Sequence, residues 1–560
     1  MKIKIFFILS LVALTANAQE AAAPKWGSKV MKGIVSVLTY DKEGSLMKSG
    51  TGFYISNDGM ALADYSLFKD AYSAVVVDVD GEKSDVKWIM GADDTYSVVK
   101  FRTTSKKTTA LTLSESPASE GAMVFTLKYT KDKLKSCPTA QVSSVKTVDN
   151  SCSFYTRSYA TDDSYHGAPV FNEKGDVIGM TQPSMGNNGY ALGIEFANTA
   201  SIQALASKVN TLALEAIHIP KGLPDSDGAS LVYLYMQSKT MPNEEYLDLV
   251  NLFIETWPDN AEGYIRRASP LIDMHKFDEA DQDFQTYLKM SSDKPLAHTR
   301  IADIINTKLV YQPEPKYEKW TFDLALEHVD KALAERPDVL DYKLLKGQIL
   351  MAKKDFAGAI AHYDEMLNSE ARSPEIYYVS SFAHEGAGDS VSVMIAMMDS
   401  ALAMFPTPMP GEAAQYVLRR GQLHSAAGHY RDAVNDYNQY CFLCNNQVNV
   451  SFYYDRAKLE DKARMYQQAL DDLTTAIGMQ PNVPTLYIEK CALLLKVNEL
   501  DECINTAKQL LAFDAQNVDA LRIMGYAQTQ NGKKAEGKAN LQKAVDLGDE
   551  SAKEILKQIE

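Results

Sequence analysis

In the last third of the chain, small residues recur at a fixed interval. Ala457, Cys491 and Gly525 are each 34 residues apart, and each is followed twelve positions later by a second small residue, Ala469, Cys503 and Gly537. The same pairing occurs earlier as Ala268/Ala280, Gly347/Ala359 and Gly421/Ala433, with a bulky residue after the second member: Phe284, Tyr363 and Tyr437. Two small residues twelve apart let paired antiparallel helices approach closely. The bulky residue then fills the gap to the next pair. A fixed period of this kind dictates a linear array of helical hairpins, each packed on its neighbours.

This pattern resembles the tetratricopeptide repeats, with Pro337 and Pro481 ending helices where that family often places proline. A repeat around Ala302 and Ala325 carries an eleven-residue insertion that includes "YQPEPKYEKW", and the one from Pro374 to Pro406 is diverged. With a starting hairpin from Ser230 to Trp257, the all-α solenoid is expected over 229–560 as about eight or nine hairpins, capped by a charged helix from Glu550. Cys491 and Cys503 fill both small positions of one hairpin, where cysteine serves as a small apolar residue; a disulfide there is the secondary reading. The resemblance implies a concave groove that takes a protein or peptide partner. No cofactor, no metal-ligand cluster and no phosphate loop is expected in this half. The Cys441-x-x-Cys444 pair has no second pair or histidine at ligand spacing and reads as a helix end.

From Gly33 to about Ser207 the signal is different. Short apolar runs such as "GIVSVL", "AVVVDV" and "DVIGM" alternate with turn formers, as in a β sandwich or closed barrel. The order of segments resembles the trypsin-like serine proteases, specifically the HtrA-like branch. "SGTGFYISNDGMALADYSLF" looks like the strand and turn leading to the histidine loop, and "VKWIMGADDTYSVVKF" like the strand carrying the aspartate. "GAMVFTLKY" follows as the next strand, "TDDSYHGAPVFNEKGDVIGMTQ" looks like the nucleophile loop with its hairpin, and "GYALGIEFANTASI" like the last strand and closing helix. The resemblance covers 25–209 and implies a double β-barrel. "HIPKGLPDSDG", within 210–228, reads as the linker to the solenoid.

Carried over position by position, the family's triad falls on Ser66 (histidine), Thr95 (aspartate) and His166 (nucleophile). The glycine that helps form the oxyanion hole falls on Ser164. Acyl transfer on this fold needs a serine, a histidine to take its proton and a carboxylate to hold the imidazole tautomer. None of the three is in place, and no histidine precedes His166 in the chain. The expectation is therefore a barrel that is not an enzyme. The alternative is an atypical serine peptidase, through an exchanged Ser66–His166 pair, with the solenoid selecting substrates.

The opening "MKIKIFFILSLVALTANAQE" has a basic start, a short apolar run and Ala16-Asn17-Ala18, the pattern of a cleaved signal peptide spanning 1–18. Export to a periplasm or the extracellular space is expected, with no stable membrane insertion, because no later segment is long and apolar enough to span a bilayer. Export permits disulfides, and Cys137 and Cys152, in segments that read as neighbouring strands, are the first candidate pair. The formal charge of −16 opposes binding to nucleic acid. The functional expectation is an exported scaffold or adaptor.

Overall fold

The computed structural model describes residues 19–148, 152–158, 162–185, 188–202 and 208–559. The chain divides into two compact units, Met1–Ser292 and Asp293–Glu560. In the first unit the strands are β1 (Gln19–Ala22), β2 (Ile34–Tyr40), β3 (Leu46–Tyr54), β4 (Met60–Ala63), β5 (Ser73–Val77), β6 (Lys83–Asp93) and β7 (Val98–Thr103). They continue as β8 (Met123–Thr126), β9 (Ser136–Val148), β10 (Cys152–Arg157), β11 (Pro169–Phe171), β12 (Val177–Met185) and β13 (Asn188–Gly193). The order β2-β3-β4-β7-β6-β5 closes into a barrel. A second ring, β9-β10-β13-β12-β11-β8, closes through the β8–β9 pairing, and β1 is added outside it along β9. The chain thus forms the double antiparallel barrel that the segment order implied.

Side-chain alternation explains why these strands carry apolar residues on both faces. Val35, Val37, Ala61, Ala63, Val76, Ile89, Val99 and Phe101 form one core. Their neighbours Ile34, Phe53, Leu62 and Val98 belong to a second core with Phe171, Val177, Met180 and Leu192 of the other barrel. Strand β7, "VVKFRT", is consequently buried at every position. Its two charges are each tied down: Lys100 Nζ donates to Asn198 O at 2.8 Å, and Arg102 reaches Asp58 at 3.0 Å. Val124, Val142, Tyr155, Val170, Ile178 and Ala191 form the core of the second barrel.

The stretch read as a linker, 210–228, is packed rather than free. Ile217, Ile219 and Leu223 are buried. The Ile89 N–H donates to Pro220 O at 2.8 Å and the Gly222 N–H to Ile89 O at 2.9 Å, so this segment pairs with β6. Lys221 donates to the carbonyls of Ile217 and Ile219, and burial pushes its amine down to about 8. The hairpin that follows, Asp227–Gln237 with Asn243–Thr256, sets Leu234, Leu249, Leu252 and Phe253 against Trp88 and Met90 of β6. Lys87 pairs with Asp248 at 3.4 Å beside it. A second hairpin, Glu262–Asp273 with Phe277–Met290, completes the first unit.

The second unit is helical. Its paired helices are Lys294–Tyr311 with Phe322–Glu335, Leu340–Lys353 with Phe356–Leu367, Pro374–Ala387 with Val391–Leu402, and Ala414–Ala426 with Tyr430–Leu443. Then come Val450–Lys462 with Tyr466–Met479, Pro484–Lys496 with Leu500–Phe513, and Val518–Gln530 with Lys534–Asp546, followed by the helix Glu550–Ile559. The small positions lie where helices touch. A Cβ on Gly347 would come within 2.3 Å of Tyr363 Oη, and one on Gly525 within 2.9 Å of Gly537 O. The insertion after Tyr311 is anchored by buried Trp320 and by Lys308, whose Nζ donates to the carbonyls of Pro313 and Pro315.

A second recurrent device escaped the sequence reading. The residue just before the first small position is Arg267, Arg420 or Arg456 in three hairpins. Each makes a bidentate pair with a carboxylate sixteen residues on, Asp283, Asp436 or Asp472, at 2.7–3.0 Å. Each also donates to the preceding hairpin, at Asn251, Asp399 or Asn438. All three aspartates are buried, so this fork-shaped geometry satisfies charges that would otherwise be costly. Glu460, beside Asp472, is not so provided for. It is 3% exposed, and its Oε2 has no hydrogen-bond partner. Burial and the neighbouring Asp472 push its carboxyl up to about 8.

The cysteine pairing expected between Cys137 and Cys152 does not survive the strand register. Cys152 lies opposite Val148, eleven residues along β9 from Cys137, which lies opposite Ala21. Eleven residues of strand is about 36 Å at ~3.3 Å per residue, far beyond the reach of a disulfide. The Cys152 side chain is outside the described residues. Cys491 and Cys503 do face each other, each Sγ 3.6 Å from the other's carbonyl oxygen, and both are free thiols.

Three outcomes follow. Asp293–Glu560 expressed alone should give a strongly helical circular-dichroism spectrum and one cooperative urea transition. Extending it back to Ser226 should instead raise dye binding, because Leu249, Leu252 and Phe253 lose Trp88 and Met90. In the same fragment Glu460 keeps its proton when folded but loses it near its ordinary 4.5 when unfolded, so the folded state binds more protons between about 4.5 and about 8. Stability should therefore fall as pH rises through that window, and Glu460→Gln should flatten the fall in urea titrations.

Candidate functional site

Two loops meet where the barrels face each other. The first follows β4: Asp64 is buried and caps the turn Tyr65–Phe68, accepting from the Ser66 N–H at 2.8 Å. The second runs from Asp162 into β11 and contains the single turn Asp163–Tyr165. Gly167 joins them. Its φ is +78°, a conformation that favours glycine, and a Cβ there would come within 2.9 Å of Asp64 N and 3.0 Å of Thr51 O. The Gly167 N–H donates to Thr181 O at 3.0 Å, which fixes the loop to β12.

Ser66 and His166 are thereby carried on adjoining loops, as the segment order implied, but they are not bonded. Ser66 is exposed and its carbonyl accepts from Lys48 Nζ. His166 is about a quarter exposed, with Nε2 3.5 Å from Asp163 Oδ1 and without a hydrogen-bond partner. Thr95 is in the exposed turn after β6, with its N–H on Asp93 Oδ1 at 2.9 Å and its hydroxyl on Asp94. Among the described residues no hydrogen bond joins Ser66, Thr95 and His166.

The amides of the second loop are also spent. The Ser164 N–H donates to Asp162 Oδ1 at 2.9 Å and the His166 N–H to Asp163 O at 3.1 Å. These are the two positions whose N–H groups would need to point into the cleft to stabilise an oxyanion. The Ser164 hydroxyl is engaged as well, donating to Asp162 and accepting from Lys128 Nζ. Lys128 also lies 4.4 Å from the Tyr165 ring centre. Hydrogen bonds from Ser164 hold the Asp162 carboxyl below its usual range, with Lys128 and His166 adding to the effect. Lys128 lies two residues beyond the end of β8, thirty-six residues from Ser164, and no local pattern pointed to it.

A double six-stranded barrel with this cleft, followed by repeated helical hairpins, defines a protease-like module joined to a repeat module. The comparisons with known proteins agree: residues 50–180 match the trypsin-like peptidase domain family and residues 321–375 the tetratricopeptide repeat family. The chain carries a trypsin-like peptidase domain and tetratricopeptide repeats. It is 24% identical over 306 residues to the DnaJ protein P58IPK homolog of Arabidopsis thaliana, covering 54% of this chain and 58% of that one. It is 26% identical over 143 residues to the mitochondrial import receptor subunit TOM70 of Mus musculus, covering 24% and 21%. The chain spans little more than half the length of the first of these and a fifth of the second. Among solved structures, the serine endoprotease from Yersinia pestis is similar at 16% identity with a TM-score of 0.27, covering 30% of this chain and 62% of that one. An inactive form of Rv3671c from M. tuberculosis H37Rv is similar at 17% identity and a TM-score of 0.27, covering 32% and 92%.

Because Gly167 sets the spacing of the two loops, Gly167→Ala should destabilise the barrel by about 1–3 kcal/mol. Thermal unfolding of the full chain, followed by near-ultraviolet circular dichroism, reads this directly.

Proposed function

We propose that this chain is an exported, non-catalytic scaffold or adaptor. Its tetratricopeptide groove holds a protein or peptide partner, and the barrel serves as a second binding or structural module. The observation that carries the reading is the state of the second loop, with histidine at the nucleophile position and both candidate oxyanion amides turned onto the loop's own oxygens. Losing even one such donor typically costs a factor of about 10²–10³ in rate. Export, to a periplasm or the extracellular space, is supported by the signal-peptide pattern of the sequence at 1–18. The name of one repeat relative, an import receptor subunit, supports a binding role for the helical half.

The second reading, an atypical serine peptidase, has one specific observation in its favour: Lys128 Nζ donates to the Ser164 hydroxyl. Lysine acts as a base towards serine only when neutral, and here the same hydroxyl is already donated to the Asp162 carboxylate. A fluorophosphonate probe separates the two readings. The scaffold reading expects no covalent labelling of the full chain and no esterase turnover at high protein concentration. Labelling or turnover abolished by Ser164→Ala would establish the peptidase instead. Turnover lost only in both Ser66→Ala and His166→Ala would establish the exchanged pair.

A further inference from the structure

The helical half was expected to hold no metal-ligand cluster, yet the fold assembles one. His424 lies in the last turn of the helix Ala414–Ala426, His429 immediately precedes the helix Tyr430–Leu443, and Asp432 lies in the first turn of that helix. One ligand atom from each falls within 4.8 Å of the others. The histidine rings are 5.7 Å apart, centre to centre. The scaffold beneath them is fixed. Gly428 adopts φ +77°, the His429 N–H donates to His424 O at 2.9 Å, and the Ala433 N–H donates to His429 O at 3.0 Å.

The preceding hairpin supplies a comparison inside the same molecule. There His384 stands four residues before Gly388, as His424 stands four before Gly428, and both glycines have positive φ. The residue after Gly388 is Asp389, and His384 Nδ1 meets its carboxylate at 2.7 Å. After Gly428 the residue is His429. His424 Nδ1 is buried and has no hydrogen-bond partner. With imidazole at 429 where the preceding hairpin has the Asp389 carboxylate, His424 Nδ1 lacks the partner that His384 Nδ1 has, and a second ring lies beside it. Asp432 restores a carboxylate from one turn further on. Two neutral imidazoles can hydrogen-bond to each other, as His298 and His328 do at 2.9 Å, but His424 Nδ1 makes no such bond. Two imidazoles and a carboxylate on one side of a cation are a standard donor set.

We propose that His424, His429 and Asp432 bind a divalent transition ion of the zinc class. Imidazole nitrogen and carboxylate oxygen suit such an ion, and three protein ligands leave a coordination position open to water or to a donor from a bound partner. The nearby Arg420 does not oppose the charge, because it is committed to Asp436 and Asp399. His429 and Asp432 are exposed, so an ion reaches the site without opening the hairpin.

The test uses the full chain, freed of metal by a chelator and titrated with Co²⁺ and then Zn²⁺. The expected result is saturable binding of one ion per chain at this site, with visible Co²⁺ absorption of low-coordinate type that Zn²⁺ abolishes. His429→Ala and Asp432→Asn alter exposed side chains and should each weaken binding by at least about tenfold while leaving the circular-dichroism spectrum unchanged. His384→Ala, in the comparison turn, should leave binding intact. Failure of the wild-type chain to bind Co²⁺ or Zn²⁺ saturably, or equal affinity in the wild type and both site variants, would overturn the proposal.

Discussion

Ile34, Phe53, Leu62 and Val98 packed against Phe171, Val177, Met180 and Leu192 hold the two barrels together, and the geometry of the cleft depends on that contact. Each of these side chains is at most 1% exposed, and a fully buried side chain of this kind contributes about 1.5–3 kcal/mol. The strands that provide them also build the barrel interiors, so no residue of β7 is spared for solvent. The loops after β4 and before β11 inherit their positions from this core. Gly167 then brings them to backbone contact. The framework of a protease cleft is therefore intact independently of the side chains it presents, because the packing that makes it lies one layer below.

In the helical half the constraint is different in kind. Small residues admit close approach, and the arginine–aspartate forks select which helices are joined. Arg456 touches Asp472 in its own hairpin and Asn438 in the one before, so it couples two repeats through one planar group. Van der Waals contact at Ala457 and Ala469 tolerates sliding, whereas a bidentate fork does not. The forks thus add register to an array that small residues alone would leave loosely specified. Glu460 is a buried acid within one of these joints, 3.9 Å from Arg456 through one oxygen and without a hydrogen bond on the other.

How much of this was legible follows from the range of each interaction. The repeats were readable because a close helix contact demands a small residue at a fixed local spacing, whatever else surrounds it. The order of barrel segments was readable for a similar reason. Strand register was not: Cys137 and Cys152 do lie on adjacent strands, but only pairing partners such as Val148 reveal that they sit at opposite ends. The Lys128 contact to Ser164 and the forks arise from side chains that meet after folding. The histidine trio was open to inspection at 424, 429 and 432, and was overlooked because its members straddle a turn instead of sharing one helix face. The stretch 210–228 has the composition of a spacer, yet alternating Ile217, Ile219 and Leu223 gave the signal of a packed segment.

Strand β6 is a partition wall. Ile89 belongs to the core of the first barrel, while Trp88 and Met90 on either side of it belong to the core shared with the helices Asp227–Gln237 and Asn243–Thr256. Three consecutive residues thus serve two compartments, sorted by the alternation of the strand and by the shifts in its pairing with β7 between Val86 and Trp88 and between Ile89 and Gly91. Conservative exchanges within each compartment leave the sorting untouched. Substitutions at Trp88 and Met90 are therefore felt by the first helices, and substitutions at Ile89 by the barrel, although the three residues are neighbours in one strand.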